Sequence, residues 1–391
     1  MYIQTVRCRL QSRIPQFAVS LCLLLLFTDC VFTGSAFAQN RGAVSGIIRD
    51  AETDESLPGA HVYLANTTIG DITDPNGFFN IQDVQAGAYQ IIVTIIGYKA
   101  FQQTIEIAAN GETDLSLLLE KDVYEVGEIT VTDSQPKSWK RDLTRFKRMF
   151  LGNTPNRRGC EIENPFVINF KRLDSYFEAS ADQPIVITNK YLGYRVTYLL
   201  NEFSSGGNQF RFTGQPIFEE IEPRDKKEAR RWKKRRQESF QGSFKHFLRS
   251  VAQGTLQEEG FEVYLNETLF WQRPHAELMD YFEETDAAAD LNAFLKPHPV
   301  PHERVMEFAG YLHVFFQKEM MHRDFYESVS MNYNPSKEPV RAVIRLTHID
   351  AIFNEIGFLN NAFDIARYGY WNWESGICNW LPFNYGLEPA G

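Results

Sequence analysis

Two basic clusters, an aromatic terminus and a pair of cysteines carry the side chains best suited to act on a partner. Residues 137–158 hold eight Lys and Arg against Asp142, a net +7, with Lys140, Arg141, Arg145 and Arg148 at its centre. Residues 224–236 hold nine against Asp225 and Glu228, again +7, and include Arg230, Arg231, Lys233, Lys234 and Arg235. The chain as a whole is net −10, so both patches stand against an acidic remainder. Such polarity can seat an anionic partner: an anionic membrane surface, an acidic glycan or an acidic protein. The plainer reading is two solvated helix faces, or faces neutralised by the protein's own acids. Trp371, Trp373 and Trp380 lie in an aromatic terminal run with Tyr368, Tyr370, Phe383 and Tyr385. They could stack on sugar rings, although aromatic side chains ordinarily fill cores. Trp371 and Trp373 alternate with Tyr370 and Asn372, which fits a strand occupied on both faces.

Reaction chemistry is not written in any motif. A zinc hydrolase needs His and a carboxylate close together, with a distant third ligand and one open position. None of the eight histidines is followed by Glu three residues on, and H-E-x-x-H is absent. His298 and His302 are four apart, but Pro297, Pro299 and Pro301 forbid the helix that would align them. No G-x-S-x-G elbow, P-loop or G-x-G-x-x-G fingerprint occurs. Asp71, Asp74 and Asn76 could offer oxygens to Ca²⁺, but an Asx-type turn explains them with fewer ligands. No metal, cofactor or catalytic residue is therefore assigned. A Ser, His and Asp convergent only in space remains the route to the alternative, an envelope hydrolase with its site between residues 137 and 391.

The N-terminus sets the compartment. Arg7, Arg9 and Arg13 precede an apolar run from Phe17 to Phe27, and Ala36-Phe37-Ala38 is a small-x-small cleavage site. This reads as a signal peptide over residues 1–38, with an exported product of net charge −12 in the periplasm or at the outer membrane. Nucleic acid is not an expected partner there. Of five cysteines, Cys160 and Cys378 remain after cleavage. In an oxidising compartment they either pair, tying the start of the second domain to its end, or stay as buried thiols.

Positioning falls to two dissimilar stretches. From Gly42 to Leu119 short runs alternate with period two: Val44, Gly46 and Ile48; Ala60, Val62 and Leu64; Leu115, Leu117 and Leu119. Leu57-Pro58-Gly59, Asp74-Pro75-Asn76-Gly77, Ala86-Gly87 and Asn110-Gly111 separate them as turns. Six or seven strands in about eighty residues predict a small antiparallel sandwich. Residues 121–136 read as a linker containing one strand, Val126 to Val131. The pattern then mixes. Trp139, Leu143, Phe146 and Phe150 fall on one helical face over Ser138 to Leu151. Strands follow between Asn164 and Phe218, with a hairpin turn at Gly206-Gly207-Asn208. A long helical region from Arg224 to Gln253 is interrupted at Gly242-Ser243, where Ser243 can cap a new helix. FEVYL, GYLHVFFQKE and VRAVIRLTHID read as strands, IFNEIGFLNN as a hairpin. Glu277 to Asp290 and Lys296 to Pro301 read as loops or a short helix.

The first stretch also carries a recognisable wording: G-x-(x)-x-G-x-(x)-x-D at its start, then L-P-G-A-x-V, D-x-x-G-x-F and G-x-Y-x-(x)-x-V-x-x-x-G-Y. It resembles the carboxypeptidase-like regulatory domain, a transthyretin-like Greek-key sandwich described as carbohydrate-binding-like. That family stands beside zinc carboxypeptidases and, in Bacteroidetes-type bacteria, before TonB-dependent outer-membrane receptors. The remainder, through RDLTRFKRMFLGNTPNRRGCEIENP, NKYLGYRVTYLL, RRQESFQGSFKHFLRSV and YGYWNWESGICNWLPFNY, resembles uncharacterised exported proteins of the same bacteria, from which no catalytic residue carries over. No plug or barrel pattern follows the linker. The expected architecture is an all-β sandwich over residues 39–120 joined to a mixed α+β domain over residues 137–391. The expected role is non-catalytic: a binding or assembly module with an envelope protein or glycan partner, and the resemblance implies an association with outer-membrane uptake systems. The basic helices are the first candidate surface and the terminal tryptophans the second.

Overall fold

Alternating side chains in the N-terminal stretch close into two sheets. The structure, a computed structural model, describes residues 41–122, 136–173, 176–206, 209–266, 287–300, 302–329 and 338–387. The expected signal peptide and the Val126 to Val131 strand lie outside these residues, as does most of the acidic stretch from Glu277. Seven strands make the sandwich: β1 (Arg41–Asp50), β2 (His61–Leu64), β3 (Gly70–Ile72), β4 (Phe78–Gln85), β5 (Gly87–Thr94), β6 (Phe101–Ile107) and β7 (Glu112–Leu119). One sheet runs β4-β1-β7 and the other β3-β2-β5-β6. Val44, Ile48, Val62, Leu64, Ile91, Val93 and Leu117 meet between them, all nearly inaccessible. The sandwich is not wholly antiparallel as expected: β1 and β7 run parallel from Ala43 opposite Glu112 to Asp50 opposite Leu119. Parallel neighbours require a long crossover, and here the intervening five strands supply it. Asp74 accepts from the backbone of Asn76 and Phe78, and Asp71 from that of Asn80, so these acids close turns.

A second sheet follows: β8 (Cys160–Ile162), β9 (Ile168–Leu173), β10 (Tyr176–Ala181), β11 (Ile185–Asn189), β12 (Tyr194–Gly206) and β13 (Gln209–Glu220). One edge of β12 pairs with β11 and then β10, and the other with β13 along its length. Gly206 faces Gln209 in the β12–β13 hairpin, while the other two expected turn residues, 207 and 208, lie outside the described residues. The helix α1 (Lys137–Phe150) lays Phe146 and Phe150 onto Phe177, Tyr198 and Phe203. That face is the one its spacing predicts.

A third group begins with α2 (Lys226–Phe240) and α3 (Phe244–Gln253). Ser243 separates them and caps α3, accepting the His246 N–H at 3.2 Å. After α4 (Leu256–Glu259) come β14 (Phe261–Asn266), β15 (Ala287–Ala288), α5 (Leu291–Phe294), β16 (Leu295–Pro297), β17 (Glu303–Met306) and β18 (Tyr311–Met320). The chain continues through α6 (Arg323–Val329), β19 (Pro339–Leu346), β20 (Ala351–Asn354), β21 (Ile365–Gly369) and α7 (Tyr370–Trp373). Two sheets result, β15-β14-β18-β19-β21 and β16-β17-β20. Three expectations are corrected here. The proline-rich stretch is not all loop, because Leu295 to Pro297 pairs with β17. Residues 352–361 are not a simple hairpin: β20 pairs with β17, and only a Phe353–Leu359 bridge folds the segment back. Trp371 and Trp373 sit on a short helix, not a strand, because Gly369 at φ +70° ends β21 just before them.

Residues after 136 thus carry two separate hydrophobic cores, one on each sheet group. The sandwich docks on the first of them. Ala65 and Ile92 meet Leu199 and Ile217, Tyr63 donates to Glu219 at 3.0 Å, and Asn66 exchanges backbone bonds with Pro216 and Phe383. A disulfide joins Cys160 at the start of β8 to Cys378, with Cα atoms 6.2 Å apart. Among the described residues no helix is long and apolar enough to cross a membrane.

Candidate functional site

The β12–β13 hairpin, the α2–α3 corner and the returning C-terminal segment do not close completely on one another. They leave a cleft of about 370 Å³, within the size range of small-ligand sites, about 300–1,000 Å³. Tyr198 of β12 forms part of its wall. Its ring lies across β13 at Gly214, where a Cβ would stand 2.5 Å from it, so only glycine fits. Tyr198 is fully buried, yet its Oη has no hydrogen-bond partner among the described residues. Burial pushes the phenol well above its ordinary range. Beside it Trp380 stacks on Phe212, with centroids 5.7 Å apart, and its indole N–H donates to Ser375. Phe363, on the loop before β21, stands 38% exposed at the same cleft.

The polar lining is rich in amides. Asn201 is exposed, whereas Asn360, Asn361 and Asn379 are held by Glu303, Asp364 and the Thr154–Asn156 pair. Three ionisable side chains join them. Lys245, at the start of α3, donates to the Pro382 carbonyl, and burial with Arg249 nearby holds its ammonium well below the usual lysine range. Arg367 of β21 lies over the Phe244 ring at 5.1 Å; among the described residues no carboxylate pairs with it, and burial lowers its value. Glu374, just after α7, is pushed up to about 8 by burial and then by Glu319. Glu319 of β18 is itself raised to about 7, by burial and then by Glu238 of α2. At neutral pH the cleft lining therefore holds a cationic guanidinium and a carboxyl that keeps its proton. Arg249 does not share this role, since its guanidinium is bonded to the carbonyls of Ile356, Phe383 and Tyr385.

The residues singled out in sequence are distributed differently. On α1, Lys140, Arg141 and Arg148 are exposed, while Arg145 lies over Phe177 at 4.6 Å and donates to Ser205. On α2, Arg230 and Lys233 are exposed. Arg231 binds Glu228, Lys234 pairs with Glu238, and Arg235 folds over Tyr191 at 3.9 Å. Four of these nine side chains thus spend their charge or surface on the protein itself. Of the tryptophans, Trp371 is 2% exposed and donates to the Gly242 carbonyl. Trp373 packs on Phe325 and Tyr370. Only Trp371 and Trp380 border the cleft, so the three do not form one aromatic surface. Arg367, Glu374, Tyr198 and Asn201 carried no motif signal; the aromatic run around Trp380 was the sole pointer. Among the described residues no group of three or more His, Cys, Asp and Glu is placed to hold a metal ion.

Residues 44–131 match the CarboxypepD_reg-like domain. Over 109 residues the chain is 34% identical to the TonB-dependent receptor SusC of Bacteroides thetaiotaomicron, which is 28% of this chain and 10% of the receptor. The chain therefore spans about a tenth of that relative's length. Among solved structures, a type II cohesin–X-dockerin complex from Acetivibrio cellulolyticus is 23% identical, with 29% of this chain and 76% of that chain covered, at a TM-score of 0.18. The pilus 2b backbone protein of group B streptococcus is 16% identical, with 21% and 42% covered, at 0.19. At these TM-scores neither likeness carries an argument.

Proposed function

We propose that this chain is a non-catalytic binding module of the cell envelope, holding an oligosaccharide in the cleft between its two C-terminal cores and serving an outer-membrane uptake system. The observation that carries the binding reading is the cleft's unspent polar groups. Tyr198 Oη is withdrawn from water with no partner among the described residues, and the half-buried Arg367 guanidinium over Phe244 makes no hydrogen bond among them. Leaving such a group unsatisfied costs about 1–3 kcal/mol, which a ligand rich in hydroxyls can recover. Aromatic faces at Trp380 and Phe363 suit the apolar faces of sugar rings, and amides at Asn201 and Gln215 can both donate and accept. The sandwich family at residues 44–131 and the partial likeness to SusC support the envelope setting.

The test is calorimetric titration of the purified chain with a panel of neutral and acidic oligosaccharides, with reducing-end release assayed in parallel. Saturable binding without cleavage is expected. Cleavage would replace this reading by the hydrolase one, with protonated Glu374 as the group to examine. No binding across the panel would overturn both.

A further inference from the structure

Resting on the reading of the cleft as a saccharide site, the geometry points to a narrower ligand class: an oligosaccharide that bears a carboxylate, read by Arg367. Four observations converge. Arg367 supplies the guanidinium of the cleft lining, and among the described residues it has no hydrogen-bonding partner and lies over the Phe244 ring. A planar guanidinium offers two parallel N–H donors that match a carboxylate's two oxygens. The Phe244 ring, 5.1 Å from Arg367 Cζ, holds the guanidinium by a cation–π contact before a ligand arrives, which reduces the ordering cost of binding. Finally, the acid in the cleft lining, Glu374, does not compete. Burial and Glu319 keep Glu374 protonated at neutral pH, so it adds a donor where an ionised carboxylate would repel the ligand. Lys245 adds no negative charge either, and its ammonium is turned to the Pro382 carbonyl. A neutral sugar would leave the guanidinium unpaired, whereas a uronate would neutralise it.

This assignment differs from the exposed basic helices. There an anion would meet solvated, flexible side chains, and discrimination would fade with salt. In the cleft the partner is partly buried, and the interaction resists screening.

The experiment compares three probes at neutral pH: an oligogalacturonate, the same oligomer with its carboxyls reduced to alcohols, and a neutral gluco-oligosaccharide. The uronate is expected to bind at least tenfold more tightly than its reduced form. Arg367→Gln is expected to remove most of that tenfold preference, and Arg367→Lys to retain part of it. The comparison of acid and reduced oligomers on the unaltered protein stands even where a variant fails to fold. Equal binding of the acid and reduced forms overturns the carboxylate assignment while leaving a saccharide site in place. A preference for the uronate that survives unchanged in folded Arg367→Gln also overturns it and moves the anion site to the basic helices. Failure of all three probes to bind overturns the saccharide reading itself.

Discussion

At the scale of single residues, the cleft is a place where burial has been allowed to move ionisation. Glu374 and Glu319 sit near one another, with Tyr370 of α7 beside them and Glu238 of α2 facing Glu319. Their folded values, about 8 and about 7, lie above the ordinary carboxyl value of 4.5. The folded protein therefore holds protons that the unfolded chain releases above about pH 4.5, so stability falls as pH rises through the window up to about 8. Melting followed by circular dichroism should show a rise in Tm as pH is lowered from 8 to 6.5. Glu319→Gln with Glu374→Gln should flatten that slope and raise Tm at pH 8. An unchanged slope would place the titration elsewhere. Below about 6.5 buried His313, lowered to about 4, works in the opposite direction and bounds the window. None of this is legible in sequence. Glu374 lies in a run that reads as aromatic packing, and its neighbour Glu319 is 55 positions away.

At the scale of elements, legibility followed periodicity. The sandwich strands and α1 were readable because their apolar residues recur at fixed spacing and because Pro, Gly and Asn mark the turns. The Ser243 cap was readable for the same local reason. α7 was not, since four residues with tryptophans at alternating positions satisfy either a strand or one helical turn, and Gly369 at positive φ decides between them. The parallel β1–β7 pair was also hidden, because strand order is set by which faces must meet across the sandwich. One contact between elements is sharp enough to test. Gly376, just before Cys378, approaches Gly152 at the end of α1 so closely that a Cβ would stand 2.3 Å from the Gly152 Cα. The obstruction is backbone and cannot rotate away. Gly376→Ala should therefore destabilise the chain by about 1–3 kcal/mol in urea titration, with the cleft's Trp380 displaced in fluorescence. A neutral result would mean that α1 and the terminal segment are not locked together.

At the scale of the whole molecule, the C-terminal segment fastens the parts. It leaves β21, builds one wall of the cleft, bonds to β8 through Cys378 and reaches the sandwich at Asn66 and Thr68. Residues 218 positions apart are tied by that disulfide. Replacing both cysteines by serine should lower stability by about 2–5 kcal/mol and weaken saccharide binding, because the wall carrying Trp380 and Glu374 loses its anchor. Intact binding with lowered stability would confine the disulfide to folding. The cleft itself escaped the sequence because its lining comes from segments far apart in the chain, around positions 66, 198–218, 239–248 and 357–383, whereas a pair of cysteines announces itself by count.

The most direct measurement is hydrogen exchange of the purified chain with and without an excess of mixed neutral and uronate-bearing oligosaccharides. Slowed exchange in peptides covering residues 198–215, 357–367 and 371–383, with the sandwich and the exposed faces of α1 and α2 unchanged, is the predicted result. Protection confined to the sandwich or to the basic helices, or no protection anywhere, would contradict a saccharide-binding cleft.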